Sequence, residues 1–85
     1  MNSKIVSPGL VLRELPVKDN NSLLTILTAT DGLVTATAYG ARKSGSSLSS
    51  GTKLFNYSEF TLLESRGRYK VDSAKSMEQF FALSN

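Results

Sequence analysis

The chain contains no cysteine and no histidine. The first absence excludes disulfides, thiolate zinc sites, iron-sulfur clusters and a cysteine nucleophile. The second removes the commonest general base and the commonest metal ligand, so a Ser-His-Asp relay cannot be assembled. Tryptophan is missing as well. No apolar run approaches the ~20 residues that cross a bilayer as a helix. Residues 1–9 hold one lysine and lack the ~7 to 15 residue apolar block of a signal peptide. The expectation is therefore a cytoplasmic protein with no membrane partner, no cofactor and no small-molecule substrate, and not an enzyme.

The remaining routes to chemistry close quickly. Asp19, Asp31, Glu59, Glu64 and Asp72 are scattered among turns and strands, so no compact carboxylate cluster for a metal nuclease is expected. Gly51-Thr52-Lys53 and the glycines at 40 and 45 lack the Gly-Lys-Ser/Thr order and the following helix of a phosphate-binding loop.

What is present is one small domain. The 85 residues are 40% hydrophobic and 20% charged, a globular balance rather than that of a disordered segment. The net charge of +3 is unevenly placed: residues 1–41 cancel to zero and residues 42–85 carry all of the excess. Two stretches, Arg42 to Lys53 and Arg66 to Lys70, are basic without an acid. They are either a solubilising surface or, if they meet in space, a surface that tracks phosphates.

The apolar pattern is that of strands. Leu10 to Leu12 is a brief run between Pro8-Gly9 and Pro16, and residues 23–28 and 34–39 flank Asp31-Gly32 as a hairpin. Residues 54–63 and 69–73 form a second strand pair across Ser65-Arg66-Gly67-Arg68. Between the pairs, residues 44–52 are almost entirely Ser, Gly and Thr around a single Leu48, which predicts a flexible connection with at most one helical turn. Phe55 and Phe60 are assigned to the core. Met77, Phe80 and Phe81 fall on one face of a short C-terminal helix, which either packs on the barrel or begins a further element. Five short strands suggest an all-β fold, a small antiparallel barrel of OB type, with an SH3-like barrel serving the pattern nearly as well.

Four segments in order carry a resemblance. They are Gly9-Leu10-Val11-Leu12-Arg13, then Asp19 to Thr28, then Asp31-Gly32-Leu33, then Tyr39-Gly40-Ala41-Arg42-Lys43. Together they resemble the amino-terminal domain of the RecO family of bacterial recombinational DNA repair mediators, over roughly residues 4–76. The sequence departs from the family's pattern at Asn21, Ser22, Gly45 and Ser47, where acidic or basic residues are usual, and at Leu54-Phe55, where a Gln-Pro pair is missing. The resemblance implies an OB-fold nucleic-acid-binding domain at residues 1–76. Residues 77–85 would begin a helical segment leading to a further, C-terminal domain. It also implies DNA repair and recombination by strand annealing and recombinase loading, with single- and double-stranded DNA, RecR and single-strand-binding protein as partners.

In an OB barrel, oligonucleotides cross the face around strands 2 and 3, between the connections 1–2 and 4–5. The strand reading puts Lys18 in the first connection, Arg66 and Arg68 at the second, and Arg42 and Lys43 just past strand 3. Tyr39, beside Gly40 and Arg42, is the best candidate for stacking on a base, ahead of Tyr57 and Tyr69. The alternative function is a protein-interaction barrel whose basic residues only solvate it.

Overall fold

The computed structural model describes residues 3–77. Inward positions alternate with outward ones over much of the sheet, and the sheet closes because each strand finds a partner on both sides. The strands are β1 (Ser3–Val17), β2 (Asn21–Thr28), β3 (Gly32–Ala38), β4 (Tyr57–Ser65) and β5 (Arg68–Ser76). They form a closed barrel in the order β1-β2-β3-β5-β4. Four pairings are antiparallel. The fifth joins β3 to β5 in parallel through Ala36 opposite Tyr69 and Thr37 opposite Lys70. This is the five-stranded OB arrangement the sequence predicts.

The first strand is far longer than the Leu10–Leu12 run suggests, and both of its apparent breakers lie inside it. Residues 3–10 pair with β4 and residues 9–17 with β2, so β1 serves both halves of the barrel. The register shifts between Val11 and Arg13, a bulge that bends the strand from one partner to the other. Gly9 sits at the crossover because the core lies directly on its backbone: a Cβ there would stand 2.6 Å from Ile26 Cγ2 and 3.3 Å from Phe60 Cδ2. Pro16 lies beyond the segment shared with β4, where only β2 pairs with the strand, and such an edge tolerates a missing N–H.

The interior is filled by Val11, Leu24, Ile26, Val34, Phe60, Leu62 and Val71, with alanines at 36, 38, 41 and 74. Phe60 is fully buried, as expected, but Phe55 is not in the core. It is 61% exposed and holds a left-handed φ of 65°. Its N–H donates to Val11 O at 2.7 Å, and Val11 N–H donates to Asn56 O at 3.0 Å. The backbone at 55–56 thus extends the β1 ladder while the ring turns outward. β4 accordingly begins at Tyr57 rather than at 54.

Residues 44–52 form successive turns seated on the barrel, not a free connection. Leu48 is buried against the core. Thr52 Oγ1 donates to Leu48 O at 2.8 Å and Ser58 Oγ to Gly51 O at 2.7 Å, both in buried surroundings. Gly51 packs so closely on the Ala74 backbone that no side chain fits. The predicted helix of Met77, Phe80 and Phe81 lies outside the described residues except for Met77, whose N–H donates to Tyr57 O at 2.9 Å. Among the described residues no helix is long and apolar enough to cross a membrane.

Candidate nucleic-acid interface

One end of the barrel is built by the β1–β2 turn and the end of β3. Lys18–Asn20 makes a single 3₁₀ turn in which Asp19 and Asn20 adopt φ of 62° and 61°. Asp and Asn tolerate this region better than other side chains, which explains the Asp-Asn pair between two strands. Asn21 Oδ1 accepts the N–H of Gly40 at 2.6 Å, tying the turn to the chain leaving β3. Gly40 itself needs its φ of 68° to make that departure.

Arg42 completes the tie. Its Nη2 donates to Val17 O at 2.6 Å, its Nε to Asn21 O at 3.1 Å, and its backbone N–H to Asn20 O at 2.9 Å. The guanidinium is exposed and has donors to spare after these bonds, yet it also struts the turn that carries Lys18. Sequence reasoning assigned Arg42 a phosphate contact only; the strut had no sequence signal. Lys43 follows, exposed, with its N–H donating to Gly40 O at 3.0 Å. Lys18, Arg42, Lys43 and Tyr39 are thereby gathered around one turn.

The second cluster lies at the start of β5. Arg66 and Gly67, with φ of 54° and 76°, form a two-residue turn between Ser65 and Arg68, which pair across it. Positive φ at both positions marks the hairpin turn whose twist matches the strands. Glu64 accepts the N–H of Gly67 at 3.1 Å and fixes the turn. The parallel β3–β5 pairing then sets this hairpin beside the end of β3. A groove of about 410 Å³ opens there, lined by Thr37, Tyr39, Glu64, Arg68, Tyr69 and Lys70 among others.

Of the residues selected from the sequence, the groove is lined by Tyr39 and Arg68. It adds Lys70 and Tyr69, which the sequence reading did not select. Lys70 had a signal: it lies two residues from Arg68 on a strand, hence on the same face. Arg66 stands at the hairpin tip next to the groove, whereas Lys18 and Lys43 line the turn and not the groove. Ser22, noted as lacking the family's usual basic side chain, is fully buried.

The face of strands 2 and 3 differs from expectation. Across β1, β2 and β3, Leu10 stands opposite Leu27 and Leu27 opposite Leu33, while Leu15 opposes Leu23 and Leu23 opposes Thr37. Leu27 and Leu33 are 46% and 65% exposed. Between the two rows lie Arg13, Thr25 and Thr35. The outer sheet face is thus mainly leucine and threonine with Arg13 between the rows, and six of the basic residues gather at the barrel's end.

A family model described as "Recombination protein O N terminal" matches residues 1–80. The chain belongs to the RecO family. It is 35% identical over 77 residues to the DNA repair protein RecO of Acetivibrio thermocellus, covering 91% of this chain and 31% of that protein. It is 37% identical over 79 residues to the DNA repair protein RecO of Alkaliphilus metalliredigens, covering 93% and 32%. A third RecO relative, from a Cyanothece species, is 34% identical over 84 residues, covering 99% and 29%. The chain therefore spans just under a third of the length of these RecO relatives, and it matches the amino-terminal domain model of the family.

Proposed function

We propose that this barrel is the nucleic-acid-binding module of a RecO-type DNA repair and recombination protein and that it has no catalytic role. It holds DNA by its phosphates, without reading base sequence. The observation that carries this reading is the convergence of Tyr39, Arg68 and Lys70 on one groove, next to the turn that bears Lys18, Arg42 and Lys43. Arginine and lysine at exposed positions follow a polyanion by charge, and release of counterions supplies the affinity. Family membership supports the wider role: strand annealing and recombinase loading, together with RecR, on DNA coated by single-strand-binding protein.

NMR titration of the labelled chain with a single-stranded oligonucleotide tests the assignment. Shift changes confined to residues 18–21, 39–43 and 64–70 are expected. Changes centred on Leu10, Leu27 and Leu33 would contradict it.

The leucine rows favour a second reading, in which the β1-β2-β3 face docks a protein. Exposed apolar surface that spans three strands is unusual on a domain that acts alone. The two readings use different faces and are compatible in one molecule.

A further inference from the structure

The β1-β2-β3 face is framed by leucines and carries a single charge. Leu10, Leu27 and Leu33 form one row across the three strands, and Leu15 and Leu23 begin a second row that ends at Thr37. Along β2 the rows stand four residues apart, roughly 13 Å, and the outer two strands are separated by roughly 10 Å. Between the rows lies Arg13, exposed, in line with Thr25 and Thr35. The bulge after Val11 puts it there: with unbroken alternation Arg13 would share the inward side of the buried Val11. No carboxylate of this face answers the guanidinium, and Arg13 makes no ion pair among the described residues. Glu14, next in sequence, stands opposite the buried Leu24, and its carboxylate accepts the N–H of Leu54 at 3.1 Å.

A frame of this size matches one α-helix, whose diameter is about 10 to 12 Å and whose positions i and i+8 lie about 12 Å apart. We propose that the face docks an amphipathic helix of a partner protein, with apolar side chains at i and i+8 on the two leucine rows and a carboxylate at i+4 paired with Arg13. This rests on the docking reading above and specifies the partner. Positions i, i+4 and i+8 fall on one helix face, so all three contacts form together. The acid is required, because a guanidinium covered by an apolar surface without a counter-charge loses its hydration for nothing. A second copy of this chain does not meet that requirement, since the same face offers no carboxylate. Nor does a phosphate backbone, which is held by several cations where this face has one.

The probe is a fluorescein-labelled peptide of about 18 residues, long enough to hold a helix, built of alanine and glutamine with two leucines eight residues apart and one glutamate midway. Its anisotropy should saturate with the wild-type chain below about 1 mM protein. Leu27→Asp should weaken that binding at least about tenfold. Arg13→Glu should weaken it about fivefold, and a peptide with lysine in place of the glutamate should recover the loss on that variant. Such recovery also shows that the Arg13 variant is folded. If the wild type binds the glutamate and lysine peptides equally while Leu27→Asp still weakens both, the carboxylate pairing is overturned and the docking reading stands. No saturation by about 1 mM overturns the helix as occupant. Two further measurements name the alternatives. A wild-type dimer in sedimentation that Leu27→Asp dissociates makes a second copy the occupant and overturns the helix. Binding of single-stranded DNA that Leu27→Asp weakens about tenfold makes the occupant DNA, and overturns both the helix and protein docking.

Discussion

Ser22 illustrates how a position is set by packing rather than by chemistry. Its hydroxyl is fully buried and has no hydrogen-bond partner, opposite Ala38 and Pro16 in the sheet. A buried donor without a partner carries a desolvation cost of about 1 to 3 kcal/mol. Ser22→Ala removes that cost and leaves only a minute change of volume, so it should raise unfolding stability by about 1 kcal/mol in a urea titration. An equal loss would mean that the hydroxyl has a partner after all. Ser7 shows the satisfied counterpart. It is equally buried, but its Oγ donates to Pro8 O at 2.9 Å and accepts the N–H groups of Ala29 and Thr30 at 3.1 and 3.3 Å. One hydroxyl on β1 thereby holds the β2–β3 turn. Neither role is visible in sequence, where nothing near either serine marks it as buried.

At the scale of elements, legibility followed the locality of the signal. The β2–β3 hairpin was readable because Asp31-Gly32 encodes its own turn, with Gly32 at φ 66° and Thr28 Oγ1 bonding both Asp31 N–H and Gly32 O. The Arg66-Gly67 turn was readable for the same reason. β1 was not, because its length depends on two partners far along the chain, and Pro8-Gly9 reads locally as a break. Phe55 was misplaced because its outward turn depends on a bond to Val11 O, not on its own hydrophobicity. Residues 44–52 look mobile by composition, yet Leu48, Thr52 and Gly51 seat them on the barrel. Gly9 is the position where β1 depends most on the absence of a side chain. Gly9→Ala forces a methyl against Ile26 and Phe60 and should destabilise the barrel by about 1 to 3 kcal/mol, seen as a lower urea midpoint. An unchanged midpoint would show that β1 can shift freely away from the core.

Across the whole molecule, polar and apolar surfaces are segregated. The end bearing the β1–β2 turn and the β4–β5 hairpin gathers Lys18, Arg42, Lys43, Arg66, Arg68 and Lys70, whereas the β1-β2-β3 face presents leucine and threonine with Arg13 as its one cation. The sequence showed the basic residues and their approximate places on strands and turns. It did not show that the β2–β3 face itself is apolar, because outward leucines and inward leucines look alike until the register is known. The proposed function uses the basic end and leaves the sheet face for another contact.

The most direct test of phosphate tracking at that end is the salt dependence of binding to single-stranded DNA. The logarithm of the affinity should fall linearly with the logarithm of salt concentration, by about 0.7 for each phosphate neutralised. Replacing both Arg68 and Lys70 with glutamine should make that slope shallower by about 1 to 1.5 while the barrel remains folded. Binding that ignores salt, or a slope that the double replacement leaves unchanged, would contradict the assignment of the groove to the DNA backbone.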